Sequence, residues 1–211
     1  MAPPRRLVGV ALALGVALLA PACVGWRISR EFFAGPAGAT PAAIEVVSGE
    51  WRVGEAIGLA AGMPALEQLG GAPAGGVNLC LVGAEPFEEG ALEVRLEAQG
   101  GSLARGGGIA WAIGDGSRFA WVEVDLLAAR IRFGQCADGQ RDEIASATIE
   151  SGTGWRVLRV DVSGDEARAT LDGQLVLEAE STAFEGPGRV GLFTSADART
   201  RFADFVAIRR R

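Results

Sequence analysis

The stretch from Trp155 to Ile208 constrains this chain more than any other, because it suits strands and little else. Leu158, Val160 and Val162 alternate with Arg159 and Asp161. That period of two puts apolar side chains on one face of a strand and charged ones on the other. Ala167-Arg168-Ala169-Thr170-Leu171 then runs into Asp172-Gly173 and out along Gln174-Leu175-Val176-Leu177. An Asp-Gly pair between alternating runs is a strong hairpin signal, since both turn residues must take positive φ. Upstream, Leu92, Val94 and Leu96 alternate in the same way with Glu93, Arg95 and Glu97. No stretch of helical periodicity is long enough to compete. Roughly a dozen short strands at this spacing specify an all-β sandwich or barrel. We expect one such domain over 44–211, preceded by a linker over 23–43 that is rich in Ala, Gly and Pro from residue 27 onwards.

At 211 residues the chain can bury a full-sized core, and its 31 glycines supply turns in plenty. All 20 basic residues are Arg; Lys, His and Tyr are absent. Those absences exclude a His-based triad, an imidazole metal ligand and a Lys Schiff base. A net charge of −6 argues against nucleic acid as a partner, because phosphate binding needs a basic surface.

Arg5 and Arg6 precede an uncharged run from Leu7 to Ala20, ending in Ala20-Pro21-Ala22-Cys23. A positive start, an apolar centre and small residues at a cut site describe an export signal over 1–22. Three routes fit it. Ala20 and Ala22 suit ordinary signal peptidase, and Cys23 after a small residue suits lipidation. Leu7 to Trp26, uncharged over about the 20 residues a membrane crossing needs, suits an uncleaved anchor. All three place the domain outside the cytoplasm, in the cell envelope or secreted, and the last two attach it to a membrane. There, Cys80 and Cys136 form an even pair, and we expect a disulfide between them.

Several segments carry a family resemblance: Ser48-Gly49-Glu50-Trp51-Arg52-Val53, Gly107-Gly108-Ile109-Ala110-Trp111, and Trp155 with Leu158-Arg159-Val160. The Leu171-Asp172-Gly173 hairpin and the ending Gly186-Pro187-Gly188-Arg189-Val190-Gly191-Leu192-Phe193, with Phe202 and Asp204-Phe205, complete it. From about Phe32 onward the chain resembles the concanavalin A-like lectin/glucanase superfamily, and within it the laminin-G-like jelly-rolls that include the 3-keto-disaccharide hydrolase domain. The resemblance implies a jelly-roll sandwich of two antiparallel sheets, here behind an N-terminal signal or anchor helix. It rests on core and turn positions, so it speaks for fold and not for activity. Many relatives carry an Asn-Tyr-Tyr-like cluster where this chain has Arg118-Phe119-Ala120.

The run from Arg118 to Leu127 bears the candidate ligand contacts. Ala120, Val122, Val124 and Leu126 should face the core, leaving Phe119, Trp121, Glu123 and Asp125 on the other face. A ring to stack on a pyranose beside carboxylates to receive its hydroxyls is what a sugar site requires. Arg95 and Arg132 join that face if their strands lie alongside; the plainer reading of both is cross-strand pairing on a solvated sheet. Glu123-Val124-Asp125 also resembles the start of the laminarinase-type Glu-x-Asp-x-x-Glu motif. Its closing acid/base position is Ala128 here, and a retaining glycosidase needs two carboxyls flanking the bond. A 3-keto-glycoside lyase would need a carboxylate base, and any metal it used would be oxygen-ligated. Asp115, Asp138 and Asp142 could ligate Ca²⁺ but read equally as turn residues, so no cofactor is assigned. Trp51, Trp111 and Trp155 read as core. The sequence thus describes an exported lectin-like module that binds a glycan or cell-envelope component without cleaving it. A glycoside or 3-keto-disaccharide hydrolase or lyase, and a structural envelope protein, are the alternatives.

Overall fold

The computed structural model describes residues 30–114 and 117–210. A 3₁₀ turn (Arg30–Phe33) leads to β1 (Ile44–Val46), β2 (Trp51–Glu55), β3 (Pro64–Gln68) and β4 (Val77–Val82). The long β5 (Gly90–Gly100) is followed by β6 (Gly106–Ile113), β7 (Phe119–Asp125), β8 (Arg130–Ala137) and β9 (Gln140–Thr148). Next, β10 (Trp155–Ser163), β11 (Glu166–Leu171) and β12 (Gln174–Glu180) precede a second 3₁₀ turn (Thr182–Phe184). The chain then finishes with β13 (Arg189–Ser195) and β14 (Arg199–Arg209).

These strands form two seven-stranded antiparallel sheets, ordered β1-β4-β13-β6-β7-β8-β9 and β12-β11-β10-β5-β14-β3-β2. Late strands insert between early ones in both, which gives a jelly-roll sandwich instead of a simple meander. The expected alternations hold. Leu92, Val94 and Leu96 on β5, and Leu158, Val160 and Val162 on β10, meet Ile109, Val122, Val124, Ile131 and Phe133 of the first sheet in one core. The β11–β12 hairpin turns on Asp172 and Gly173 at φ 53° and 81°, as an Asp-Gly two-residue turn requires.

The aromatic ending of the chain works through a bulge. The β14–β5 register shifts between Ala203 and Val206, with Asp204 at φ 54°, so Phe202 and Phe205 both reach the core despite their odd spacing. Phe202 lies 6.0 Å from Trp51 between ring centroids, and Trp111 meets Phe133 edge-on at 6.2 Å. Trp51 and Trp111 are core as expected. Trp155 is not. It is half-buried outside the second sheet against Ala56, Met63, Ala65 and Ala203, with Nε1 donating to Ile57 O at 2.8 Å.

The expected disulfide is also corrected. Cys80 and Cys136 are free thiols. They sit on β4 and β8, four strand spacings apart in the sheet, roughly 19 Å at about 4.8 Å each. Cys80 faces the core and Cys136 faces the opposite side of the same sheet, so no bridge can form without refolding. Burial pushes both thiols above their ordinary range. The export signal, Cys23, the start of the linker and Asp115 lie outside the described residues.

Candidate functional site

The outer face of the first sheet is built by the period of two, strand by strand. Cross-strand partners share a face, so Leu79 and Leu81 of β4 align with Phe193 and Gly191 of β13, and these with Gly108 and Ala110 of β6. The same rows continue through Glu123 and Trp121 of β7 to Arg132 and Gly134 of β8. One end of the face is apolar, where Leu79, Leu81, Ile113, Phe119, Trp121 and Phe193 form a cluster separate from the main core. The other end is ionic.

Trp121 joins the two ends. Its alternation is as read from the sequence, with Ala120 and Val122 inward, yet the ring is not an open platform: only 2% of the residue is exposed. A side chain at Gly134, directly opposite on β8, would overlap the indole, so the ring lies down over that glycine. The guanidinium of Arg141 covers it, 4.3 Å from the ring centroid and 5.2 Å from that of Phe193. Trp121 and Phe193 meet near edge-on at 6.0 Å.

Glu123 is 1% exposed and its carboxylate accepts three hydrogen bonds. Oε2 accepts from Arg132 Nη2 at 2.6 Å and from Arg141 Nη2 at 3.1 Å, while Oε1 accepts from Ser195 Oγ. Ser195 Oγ in turn accepts from Arg141 Nη1 at 2.7 Å. Ser195 can reach β7 only because the strand between them carries Gly108 opposite Glu123, where any side chain would meet the Val122 carbonyl and the Phe193 ring. Asp125 does a different job. Its Oδ1 accepts from the backbone N–H of Arg105 at 3.3 Å, Leu127 at 3.0 Å and Ala128 at 3.2 Å, which fixes the turn into β8. Its Oδ2 lies 3.8 Å from Arg132 Nη2.

Of the sequence candidates, Trp121, Glu123, Asp125 and Arg132 therefore gather on one face. Arg95 does not join them: it lies on β5 of the other sheet, where its Nε donates to Asp204 Oδ2 at 3.3 Å. Asp138 sits in the β8–β9 turn at φ 53°, 3.6 Å from Arg118, and Asp142 lies along β9. Among the described residues no three acidic or thiol groups come together as a metal site. Arg141, Ser195 and Phe193 were not legible from local alternation. A register shift between Phe133 and Gly134 re-aims β9 toward Trp121, and β13 reaches this sheet only through long-range pairing.

No protein-family model matches the sequence, and no curated protein matches it. Solved structures do. A carbohydrate-binding module, CBM66, from Bacillus subtilis superposes with a TM-score of 0.65 at 18% identity, over 82% of this chain and 97% of the other. The fold is that of the concanavalin A-like lectins and glucanases. A Bacillus licheniformis β-glucanase matches with a TM-score of 0.57 at 13% identity, over 89% of this chain and 100% of its own. A β-1,3-1,4-glucanase from a mouse hindgut metagenome gives 0.58 at 14%, over 88% and 99%. At these identities the likeness establishes the fold alone. That fold is shared by glycan-binding modules and glycosidases.

Proposed function

We propose that this protein is an exported glycan-binding module that does not cleave its ligand, and that the outer face of the first sheet is its binding surface. The observation that carries the reading is the state of the two carboxylates that a glycosidase would use. Glu123 is held by two guanidiniums and a hydroxyl, and Asp125 is committed to three backbone N–H groups. Glu123 so held is 1% exposed and out of a sugar's reach, and Asp125 is 7% exposed and tied into the turn, so neither is placed to flank a glycosidic bond. Ala128, at the position of the third acid of the glucanase-type motif, lies in a turn and adds no carboxylate. The carbohydrate-binding neighbour supports the same reading, and the Arg5-Arg6 start with its apolar run supports export.

The test is to screen the full-length protein against a glycan array of neutral and acidic oligosaccharides, with reducing-end release measured in parallel. Binding without product is expected. Product release that disappears in Glu123→Gln would establish the glycosidase reading instead. A protein that neither binds nor cleaves any member would belong to the structural class.

A further inference from the structure

We infer that the ligand is an uncharged glycan, held in a cleft at the rim of the outer face, around the second 3₁₀ turn; the inference rests on the glycan-binding reading above. Phe119 and Cys136, of the apolar cluster on that face, border a hollow of about 480 Å³ that Arg118, Gln135, Thr182 and Glu185 help to line. Across Thr182 and Glu185 lies a second hollow of about 440 Å³, walled by Glu88 and Glu89. Each has the size of a small-ligand site, about 300–1,000 Å³. Two hollows that share one ridge suit successive units of an oligosaccharide. The ridge itself is anchored. Ser181 Oγ caps the turn by accepting from Ala183 N at 3.2 Å, and the Phe184 ring is buried 5.5 Å from those of Trp111 and Phe133. Thr182 and Glu185 flank that buried ring and stay exposed, so binding need not order them first.

The polar groups of the cleft are uncommitted, unlike Glu123 and Asp125. Among the described residues, the side chains of Gln135, Thr182, Glu185 and Glu88 make no hydrogen bond or ion pair. Glu89 gives one oxygen to Gly164 N at 3.1 Å, and Arg118 stands 3.6 Å from Asp138 with both side chains mostly exposed. An amide and a hydroxyl both donate and accept, and the carboxylates accept. A sugar hydroxyl also donates and accepts, so each hydroxyl finds a counterpart here. Charge narrows the ligand further. An anionic sugar would meet Glu88, Glu89 and Glu185, which Arg118 alone, already facing Asp138, does not offset. A cationic sugar would gain only exposed ion pairs, which add little.

Tetramers of glucose, mannose and N-acetylglucosamine, tetragalacturonate and a glucosamine tetramer are titrated calorimetrically into the full-length protein, together with any further array hit. An uncharged member is expected to bind at least about tenfold more tightly than tetragalacturonate. Gln135→Ala and Glu185→Ala should each weaken that binding about tenfold and leave the unfolding transition in place, since neither side chain is bonded in the free protein. Arg168→Ala, on the other sheet, should bind like the unmodified chain. If Gln135→Ala fails to fold, Glu185→Ala, at an exposed position, decides alone. Undiminished binding in the folded variants would overturn the cleft, and a preference for the acidic or the glucosamine tetramer would overturn the uncharged ligand. Either result would leave the glycan-binding reading intact. No binding across these probes and the wider array would remove both.

Discussion

The two sheets of this sandwich carry ionic side chains on their outer faces in quite different ways. On the second sheet the charges form a solvated ladder. Glu67 pairs with Arg52 at 3.0 Å and Arg201 at 2.9 Å, and Arg168 pairs with Glu178 at 2.9 Å with both side chains more than half exposed. Water competes fully for Arg168 and Glu178, so that pair adds little. Glu67 and Arg201 are partly sheltered, with 13% and 21% of their side-chain surface exposed. On the first sheet the charges are withdrawn from water among aromatic rings, with one carboxylate serving two guanidiniums. Burial there makes the same residue types expensive to disturb and selective about what approaches. The sheet that withholds its charges from solvent is the one we propose as the binding face.

That contrast is tested most sharply by Glu123→Ala. It would leave Arg132 and Arg141 without their shared acceptor, and we expect a loss of about 3–5 kcal/mol in denaturant unfolding. A loss near that of a surface pair would show the first-sheet network to be as solvated as the ladder. Next is Gly134→Ala, whose added methyl overlaps the Trp121 indole. Displacing the ring from under Arg141 should cost about 1–3 kcal/mol and alter the near-UV circular dichroism. An unchanged spectrum would mean the ring does not rest on that glycine.

A smaller, local effect is expected at Asp197, in the turn that carries the chain from β13 to β14. Its carboxylate accepts from the hydroxyl and N–H of Ser102 and from the N–H groups of Leu103 and Ala104. These bonds, the Ser102 hydroxyl first, hold its pKa well below the ordinary 3.8. Because the folded value is depressed, the clamp contributes at pH above the ordinary carboxylate range and is lost only as pH falls through the lower folded value. Amide protection of 102–104 should thus persist on acidification to pH about 4 and fall in Asp197→Asn at neutral pH. Protection equal in both proteins would show that the backbone holds the loop unaided. The smallest effect belongs to the ladder itself: Arg168→Ala should change stability by no more than about 0.5 kcal/mol in the same unfolding measurement.

The chain's own pattern determined the architecture. A period of two in β5, β7 and β10, with the Asp172-Gly173 turn, settles which side chains face inward, because pleat geometry leaves no other arrangement. It also placed Trp121, Glu123 and Asp125 together on the outer face, since they share one strand. It could not say what lies across from them. Arg132 met Glu123 and Arg95 did not, although the two arginines look alike in sequence, because sheet membership is decided by pairing between distant segments. Cys80 and Cys136 suggested a bridge by number and compartment, and long-range strand order set them apart on opposite faces. Arg141 was brought over Trp121 by a register shift, and Ser195 reached Glu123 across the bare backbone of Gly108. Facing is a local property of a strand. Neighbourhood, and with it burial and charge pairing, is set only when the sheets assemble.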